Sequence, residues 1–162
     1  MVMTENKKIR NATAKECNGI KFKSILETTT YSTLVENELT PEYEAHTYII
    51  VDRFIPKVPF YTKNKFTRKN HNIDVISYNV VRDRRPQSTI TYTPDFVLTY
   101  KNKTIIIECK GFQNDVYPYK MKLFRKYLNE CVEKSNSCNY EIWEVYSKRQ
   151  LIELINILKD EN

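Results

Sequence analysis

TPDFVLTYKNKTIIIECKG, residues 93–111, is the stretch that decides the predicted fold. Two runs rich in β-branched and aromatic residues, 96–100 and 104–109, flank a short polar break formed by Lys101 and Asn102. Such runs around a two-residue break are typical of a β-hairpin. We therefore expect two adjacent antiparallel strands at the centre of the protein.

The register of this hairpin brings acidic side chains together. With a two-residue loop, Tyr100 pairs with Lys103, and the same register places Asp95 opposite Glu108. Directly opposed side chains have Cβ atoms roughly 4.5–5.5 Å apart, where like charges are destabilising. Lys110 points to the same face as Glu108 because side chains alternate along a strand. Two converging carboxylates beside an ammonium group predict a site for a hard divalent cation such as Mg²⁺.

The alternative interpretation is a surface hairpin in which a lysine screens two solvated acids. The apolar neighbours argue against it, since Val97 and Ile106 share the face with the acids. The other face carries Phe96, Leu98, Ile105 and Ile107. A strand pair that is apolar on both faces is typical of the centre of a sheet, and buried carboxylates must be paired or bind metal. The sequence therefore favours a functional site, to which the main-chain carbonyl of Cys109 would add an oxygen ligand.

Composition and charge narrow the class of protein. The chain of 162 residues is long enough for a hydrophobic core, and 41% hydrophobic with 28% charged residues fits a globular domain and not a disordered one. The formal net charge of +6 and the pI near 9.0 favour an anionic partner. Nucleic acid is the commonest partner of this kind.

The cysteines and the apolar runs bear on location. Cys17, Cys109, Cys131 and Cys138 lack the close spacing of a zinc site, and no apolar signal peptide precedes them. No apolar run approaches the length of a membrane span. These patterns predict a cytoplasmic protein with reduced thiols and no membrane contact.

The N-terminal part is predicted to contain an arm and a helix. Residues 1–17 are polar and charged without periodicity, so we expect a flexible arm. A helix is predicted from Ser24, because Ser24 to Glu27 fits a capping box in which the glutamate reaches back over the helix start. Its predicted buried stripe consists of Ile25, Leu26, Thr29, Thr33 and Leu34. The first strand is predicted over 46–51.

The segment from Lys57 to Arg85 is strongly basic, with aromatic residues interleaved. Its basic residues are Lys57, Lys63, Lys65, Arg68, Lys69, Arg82, Arg84 and Arg85, against Asp74 and Asp83. Two interpretations stay open: a surface that neutralises phosphates, or a solvated loop with one strand over 73–81. Because the segment leads into residues 89–95, we take Arg82, Arg84 and Arg85 as candidate nucleic-acid-binding residues.

The remaining chain alternates helices and strands. Asp115 is predicted to cap a helix with a buried stripe of Phe124, Leu128 and Cys131. On that helix Lys120 and Lys122 either contact phosphates or belong to a hydrated face. A strand over 140–146 and a second capping box over 147–150 precede the last helix. The order of elements predicts an α/β fold, a mixed sheet flanked by helices.

The combination of motifs resembles the PD-(D/E)XK nuclease superfamily. The matching residues are Pro94-Asp95, the run Glu108-Cys109-Lys110-Gly111, and Glu27 on the first helix. With Phe22 to Glu27 and Tyr92 to Phe96 included, the sequence is most similar to the endonuclease I type of phage Holliday-junction resolvase and to related small phage endonucleases. The resemblance covers residues 22–146 and implies a restriction-endonuclease-like core.

The resemblance implies a chemistry and a set of partners. Asp95 and Glu108 would bind one or two Mg²⁺ ions, with Mn²⁺ able to substitute, and Glu27 would complete a second metal site. Lys110 would orient the attacking water or stabilise developing charge. Residues 18–162 would form one nuclease domain with a basic insertion at about 57–89, acting as a homodimer on branched DNA. If the protein is phage-encoded, it would work in the host cytoplasm.

Other functions stay open. The same chemistry would suit a flap, nicking or restriction-like nuclease, and a non-catalytic nucleic-acid-binding module would keep the fold alone. A carboxylate pair for glycoside hydrolysis is a third possibility, although the lysine and the basic surroundings argue against it. Glu27 itself has two explanations, as a helix cap and as a catalytic acid.

Overall fold

A computed structural model of the protein describes residues 15–71, 73–111, 115–135 and 139–160. The described residues divide into two compact units, one within 15–48 and 92–160 and the other within 49–91. The predicted basic insertion lies within the second unit.

The first unit is mixed α/β, as predicted. Its strands are β1 (Lys15–Cys17), β2 (Ile20–Phe22), β3 (Glu42–Tyr43), β8 (Phe96–Tyr100), β9 (Lys103–Cys109) and β10 (Tyr140–Val145). Its helices are α1 (Ile25–Glu36), α2 (Tyr117–Ser135) and α3 (Lys148–Asp160). The strands β4 (Tyr48–Val51), β5 (Phe60–Asn70), β6 (Ile73–Asp83) and β7 (Ile90–Tyr92) lie between them in the chain.

A four-stranded sheet in the order β10-β9-β8-β3 forms the centre of the first unit. β8 runs antiparallel to both β9 and β3, whereas β10 runs parallel to β9. In β8 and β9, Tyr100 pairs with Lys103 and Phe96 with Ile107, which is the predicted register. Lys101, in the two-residue loop, has a φ of 53°, a left-handed conformation that is frequent in tight hairpin turns.

This hairpin is buried on both faces, as its apolar pattern predicted. On one face Phe96, Ile105 and Ile107 pack in a cluster with side chains of α1 and α3, among them Leu34 and Leu151. On the other face Val97 and Ile106 are buried, and so is Glu108. The acidic side chain therefore lies in surroundings that exclude most water.

The helices α1 and α3 begin with the predicted capping motif. Ser24 Oγ accepts the main-chain N–H of Glu27 at 3.2 Å, and Ser147 Oγ accepts that of Gln150 at 3.2 Å. The third helical side chain reaches back in both motifs, although to the residue before the cap: Lys23 N–H donates to Glu27 and Tyr146 N–H to Gln150.

The buried stripe of α1 differs from the prediction. Glu27, Thr30, Thr33 and Leu34 are buried, whereas Ile25 is exposed. On this inward face Glu27 accepts a hydrogen bond from Tyr43, and Thr30 accepts one from Cys109. Because these two buried residues are polar, apolar periodicity alone does not identify the face. The stripe of α2 agrees better, since Phe124 and Leu128 are buried.

The second unit contains a long β-ribbon. β5 and β6 pair antiparallel without a bulge, from Phe60 opposite Asp83 to Asn70 opposite Ile73. β4 and β7 form a separate two-stranded sheet. The strand predicted over 73–81 is confirmed and extends to Asp83. The interpretation of the remaining basic segment as a loop is wrong for residues 60–70, which form the partner strand.

The N-terminal arm was predicted to extend too far. Lys15–Cys17 form β1, which pairs with β2, and residues 1–14 lie outside the described residues. No helix in the described ranges combines the length and hydrophobicity needed to cross a bilayer.

Candidate active site

Asp95 directly precedes β8, and continuing the register of the hairpin by one pair places it beside Glu108, near the end of β9. Asp95 Oδ2 accepts the main-chain N–H of Cys109 at 2.6 Å. Burial and the negative charges of Glu108 and Glu27 raise the pKa of Asp95 to about 7, while the Cys109 N–H and Lys110 act in the opposite direction. The shift shows that the three predicted acids lie close enough to influence one another.

Glu108 is held on β9 by two donors. Its side chain accepts a hydrogen bond from Tyr92 Oη at 2.6 Å and forms an ion pair with Lys110 Nζ. Burial and the carboxylate of Glu108 raise the pKa of Tyr92, so its hydroxyl stays protonated and donates. With 6% of its surface exposed, Glu108 is a buried acid whose charge is compensated by neighbouring side chains.

Lys110 follows directly after β9, and its main-chain N–H donates to Val145 O at 2.8 Å. Its ammonium group contacts Glu108 and lies 4.1 Å from the centre of the Tyr117 ring, a distance at which a cation is attracted to the ring face. These contacts direct Lys110 toward the acidic face, as the alternation of the strand predicted.

Glu27 reaches the site from the first turn of α1. It is 7% exposed and accepts hydrogen bonds from Tyr43 Oη at 2.6 Å, Ser24 Oγ at 2.7 Å and Lys23 N at 3.0 Å. Burial and Glu27 raise the pKa of Tyr43, which keeps this hydroxyl a donor. Glu27 therefore caps the helix and also contributes negative charge beside Asp95.

The donor set fits a magnesium ion in chemistry, since three carboxylates and a main-chain carbonyl are hard oxygen ligands. The arrangement of these ligands fits a metal ion less well than their chemistry does. Among the described residues, no group of three His, Cys, Asp or Glu side chains is positioned to hold a metal ion. The carboxylates instead bind tyrosine, serine, lysine and main-chain donors. Each carboxylate oxygen has further acceptor capacity, so these contacts do not exhaust it.

Cys109 was expected to contribute through its main-chain carbonyl. Its thiol points elsewhere: Cys109 Sγ donates to Thr30 Oγ1 at 3.3 Å, and burial raises the pKa of the thiol. A protonated thiol is a poor ligand for a hard cation, so the Cys109 side chain serves packing.

Three tyrosines at the site were missed in the sequence. Tyr92 stands within the Tyr92-Thr93-Pro94-Asp95 run, and its position three residues before an acid gave the only available signal. Tyr43 is 16 positions from Glu27, to which it donates, so their spacing in the sequence gave no signal. The same is true of Tyr117, whose pKa is raised by burial and by the distant acids Glu144 and Glu108. Glu144 was also missed; it lies opposite Glu108 in the β9–β10 pair and accepts from Arg125 at 3.1 Å.

The predicted nucleic-acid-binding residues belong to both units, and each set is described within its own unit. Lys120 and Lys122 lie on α2, where Lys122 is exposed and Lys120 half-buried. Arg82 is exposed on β6 and Arg84 follows that strand, both in the second unit. Arg85 forms a two-pronged ion pair with Asp83, with Nη2 to Oδ2 at 2.6 Å. That pair neutralises much of the charge that Arg85 was expected to offer.

Comparisons with models of protein families, with curated proteins and with solved structures found no match.

Proposed function

We propose that the protein is a Mg²⁺-dependent DNA endonuclease that hydrolyses phosphodiester bonds. One observation supports this above all: Asp95, Glu108, Glu27 and Lys110, which arrive from three different elements, lie within mutual electrostatic range at one end of the central sheet. Concentrating acids in a buried position is unfavourable unless a positive charge joins them.

The positions of the residues support the following roles. Asp95 and Glu108 would hold the metal ion, with the Cys109 carbonyl beside them and Glu27 toward a second position. Tyr92 and Tyr43 fix the two glutamates by hydrogen bonds, so that the carboxylates need little reorganisation on binding. Bound Mg²⁺ supplies a Lewis acid that lowers the pKa of water and stabilises the attacking and leaving oxygens.

Lys110 would supply the remaining positive charge. Its ammonium group lies between Glu108 and the Tyr117 ring, and a phosphate entering the site would meet it. A fixed cation stabilises negative charge that develops on the phosphate oxygens, and it does so more strongly where water is excluded.

The substrate and assembly are finer parts of the proposal. By resemblance we favour branched DNA, such as a four-way junction, cut by a homodimer; a flap, nicking or restriction-like nuclease would use the same residues. A non-catalytic nucleic-acid-binding module is the second candidate. It is favoured by the lack, in the described ranges, of three side chains already arranged around a metal position.

Cleavage of linear duplex, flap and four-way-junction DNA, with and without Mg²⁺, separates these functions. Junction-selective cutting supports a resolvase and equal cutting a less selective nuclease. Binding without cutting in Mg²⁺ or Mn²⁺ would leave only the binding module.

Glu27→Gln tests whether the carboxylate of Glu27 takes part in cleavage in addition to capping α1. The amide keeps the shape of the side chain and its acceptor oxygen, as Gln150 does in the equivalent position of α3. We expect the thermal midpoint to change little while Mg²⁺-dependent cleavage falls by at least tenfold. Gln150→Ala is the control for losing contacts at a helix start, here those with Tyr146 N–H and Glu144 O. It should cost about 1 kcal/mol in stability and leave cleavage unchanged.

A further inference from the structure

The ribbon formed by β5 and β6 has two different faces. Directly paired residues lie on the same face of an antiparallel ladder, and residues alternate between faces along each strand. The pairs Tyr61–Arg82, Lys63–Val80 and Lys65–Tyr78 therefore share one face, which we call the lysine face. It continues through Thr67–Ile76 and Lys69–Asp74.

Charge is concentrated on the lysine face. Lys63, Lys65, Lys69 and Arg82 lie on it together with the single acid Asp74. On the opposite face, Arg68 and Asp83 are the only charged residues of the ladder. The same ribbon thus carries a strongly cationic surface on one side and an electrically balanced surface on the other.

Aromatic side chains accompany the cations. Tyr61 and Tyr78 are 63% and 52% exposed, and Lys63 Nζ lies 4.1 Å from the centre of the Tyr78 ring. Exposed tyrosines with intervening lysines suit a ligand that presents phosphates beside base edges with hydrogen-bonding and methyl groups. A second copy of this face is an unfavourable partner because like charges would meet across the interface.

The ribbon also has suitable dimensions. Each strand contains 11 paired residues, which at ~3.4 Å per residue gives a length of about 35 Å. The major groove of B-DNA accepts a two-stranded ribbon, since it is about 12 Å wide, and one helical turn spans roughly 34–36 Å.

We propose that the lysine face of the β5–β6 ribbon binds duplex DNA in the major groove. Lys63, Lys65, Lys69 and Arg82 contact the phosphates along the groove, and Tyr61 and Tyr78 face the base edges. The proposal rests on the proposed function only in the choice of DNA as the ligand. It assigns recognition of DNA to side chains that take no part in hydrolysis.

The first test compares single substitutions on the two faces of the same ribbon. Affinity for a labelled duplex is measured by fluorescence anisotropy over a series of salt concentrations, in EDTA so that cleavage plays no role. Each lost phosphate contact lowers the slope of log K against log salt by about 0.9. We expect this decrease for Lys65→Gln and no change for Arg68→Gln, which removes the same charge from the opposite face. Equal slopes for the two variants would overturn the proposal.

A triple variant provides the larger effect. Lys63→Gln, Lys65→Gln and Arg82→Gln together should lower affinity at least tenfold and reduce the slope by about 2–3. The matched control removes Lys21, Lys134 and Lys148, exposed cations of β2, α2 and α3, in the same way. A control that weakens binding as much as the triple variant would show a general charge effect and overturn the specific face.

The groove itself is tested with a different duplex. The major groove of A-form RNA is too deep and narrow for side chains to enter. We expect duplex RNA of the same sequence to bind at least tenfold more weakly, and equal affinity would refute groove insertion. Failure of nuclease activity with Mg²⁺ would leave these binding results intact, so the two proposals fail separately.

Discussion

Two antiparallel hairpins of the protein have the same backbone pattern and opposite surroundings. The β8–β9 hairpin is buried on both faces and carries Asp95 and Glu108 at its open end. The β5–β6 ribbon has many exposed side chains on both faces and carries lysines. In the buried hairpin the environment changes the chemistry of a carboxyl group, as the raised pKa of Asp95 shows. In the ribbon most side chains remain hydrated. We expect its lysines to act through their positive charge and their length.

One type of element can therefore provide two different environments for its side chains. A site for bond cleavage needs fixed groups in a low dielectric, whereas a surface for a long polyanion needs many hydrated cations spread over its length.

The largest effect is expected from the acids of the buried hairpin. Asp95→Asn or Glu108→Gln should lower Mg²⁺-dependent cleavage by roughly 10³-fold or more, since each removes a metal ligand and its charge. DNA binding should stay the same or become tighter, because negative charge near the phosphates is lost. Gel-based cleavage and anisotropy measured on the same samples separate the two quantities, and full cleavage by either variant would refute the site.

Matched isoleucines test the contrast in burial. Ile106 is fully buried in β9, while Ile76 on the ribbon is 53% exposed. Ile106→Ala should reduce the free energy of unfolding by about 2–5 kcal/mol, and Ile76→Ala by less than about 1 kcal/mol. Urea unfolding followed by circular dichroism measures both. Similar losses for the two variants would mean that the ribbon is far better packed than its exposure indicates.

The raised pKa of Asp95 gives a pH dependence with a definite sign. Its pKa is about 7 in the folded protein against 3.8 for the ordinary group. The folded state therefore binds the proton more tightly, and this contribution to stability is complete below pH 3.8 and lost as the pH rises through 7. Relative to Asp95→Asn, the wild-type protein should lose on the order of 4 kcal/mol between these limits.

Thermal unfolding of both proteins across the pH range measures this difference. Mg²⁺ at pH 8 should raise the thermal midpoint of the wild-type protein, because a ligand that binds the folded state stabilises it. The midpoint of Asp95→Asn should not respond. A parallel pH dependence in the two proteins would contradict the assignment to Asp95.

The smallest effect concerns arginines near the end of the ribbon. Arg82 lies on the lysine face, whereas Arg85 is paired with Asp83. Arg82→Gln should lower the salt dependence of DNA binding by about one phosphate contact, and Arg85→Gln by less, because its charge is already compensated. Salt-dependent anisotropy compares them; a larger effect of Arg85→Gln would show that the ion pair opens on binding.

The hairpin could be predicted from the sequence because its register follows from loop length alone. Once Lys101 and Asn102 form the loop, every pair including the approach of Asp95 to Glu108 is fixed by counting. The cap of α1 could also be predicted, because it too depends on residues close in sequence: Ser24 and Glu27 interact within one helical turn.

The rest depends on contacts that sequence spacing does not carry. β5 is rich in lysine and asparagine, which are depleted in strands, so its pairing with β6 decides its structure over its own propensity. The hydroxyls of Tyr43 and Tyr92 reach Glu27 and Glu108 from other elements. Only the packed structure brings these donors to the acids.

The contact of Cys109 with Thr30 has a practical consequence for chemical probes. A thiolate is the reactive form of cysteine, and burial keeps Cys109 in its protonated form. Alkylating reagents should therefore modify this thiol slowly, although it stands beside Glu108. A cysteine introduced at an exposed position of the ribbon should therefore react faster than Cys109, once the other free thiols, among them Cys17 and Cys131, are replaced.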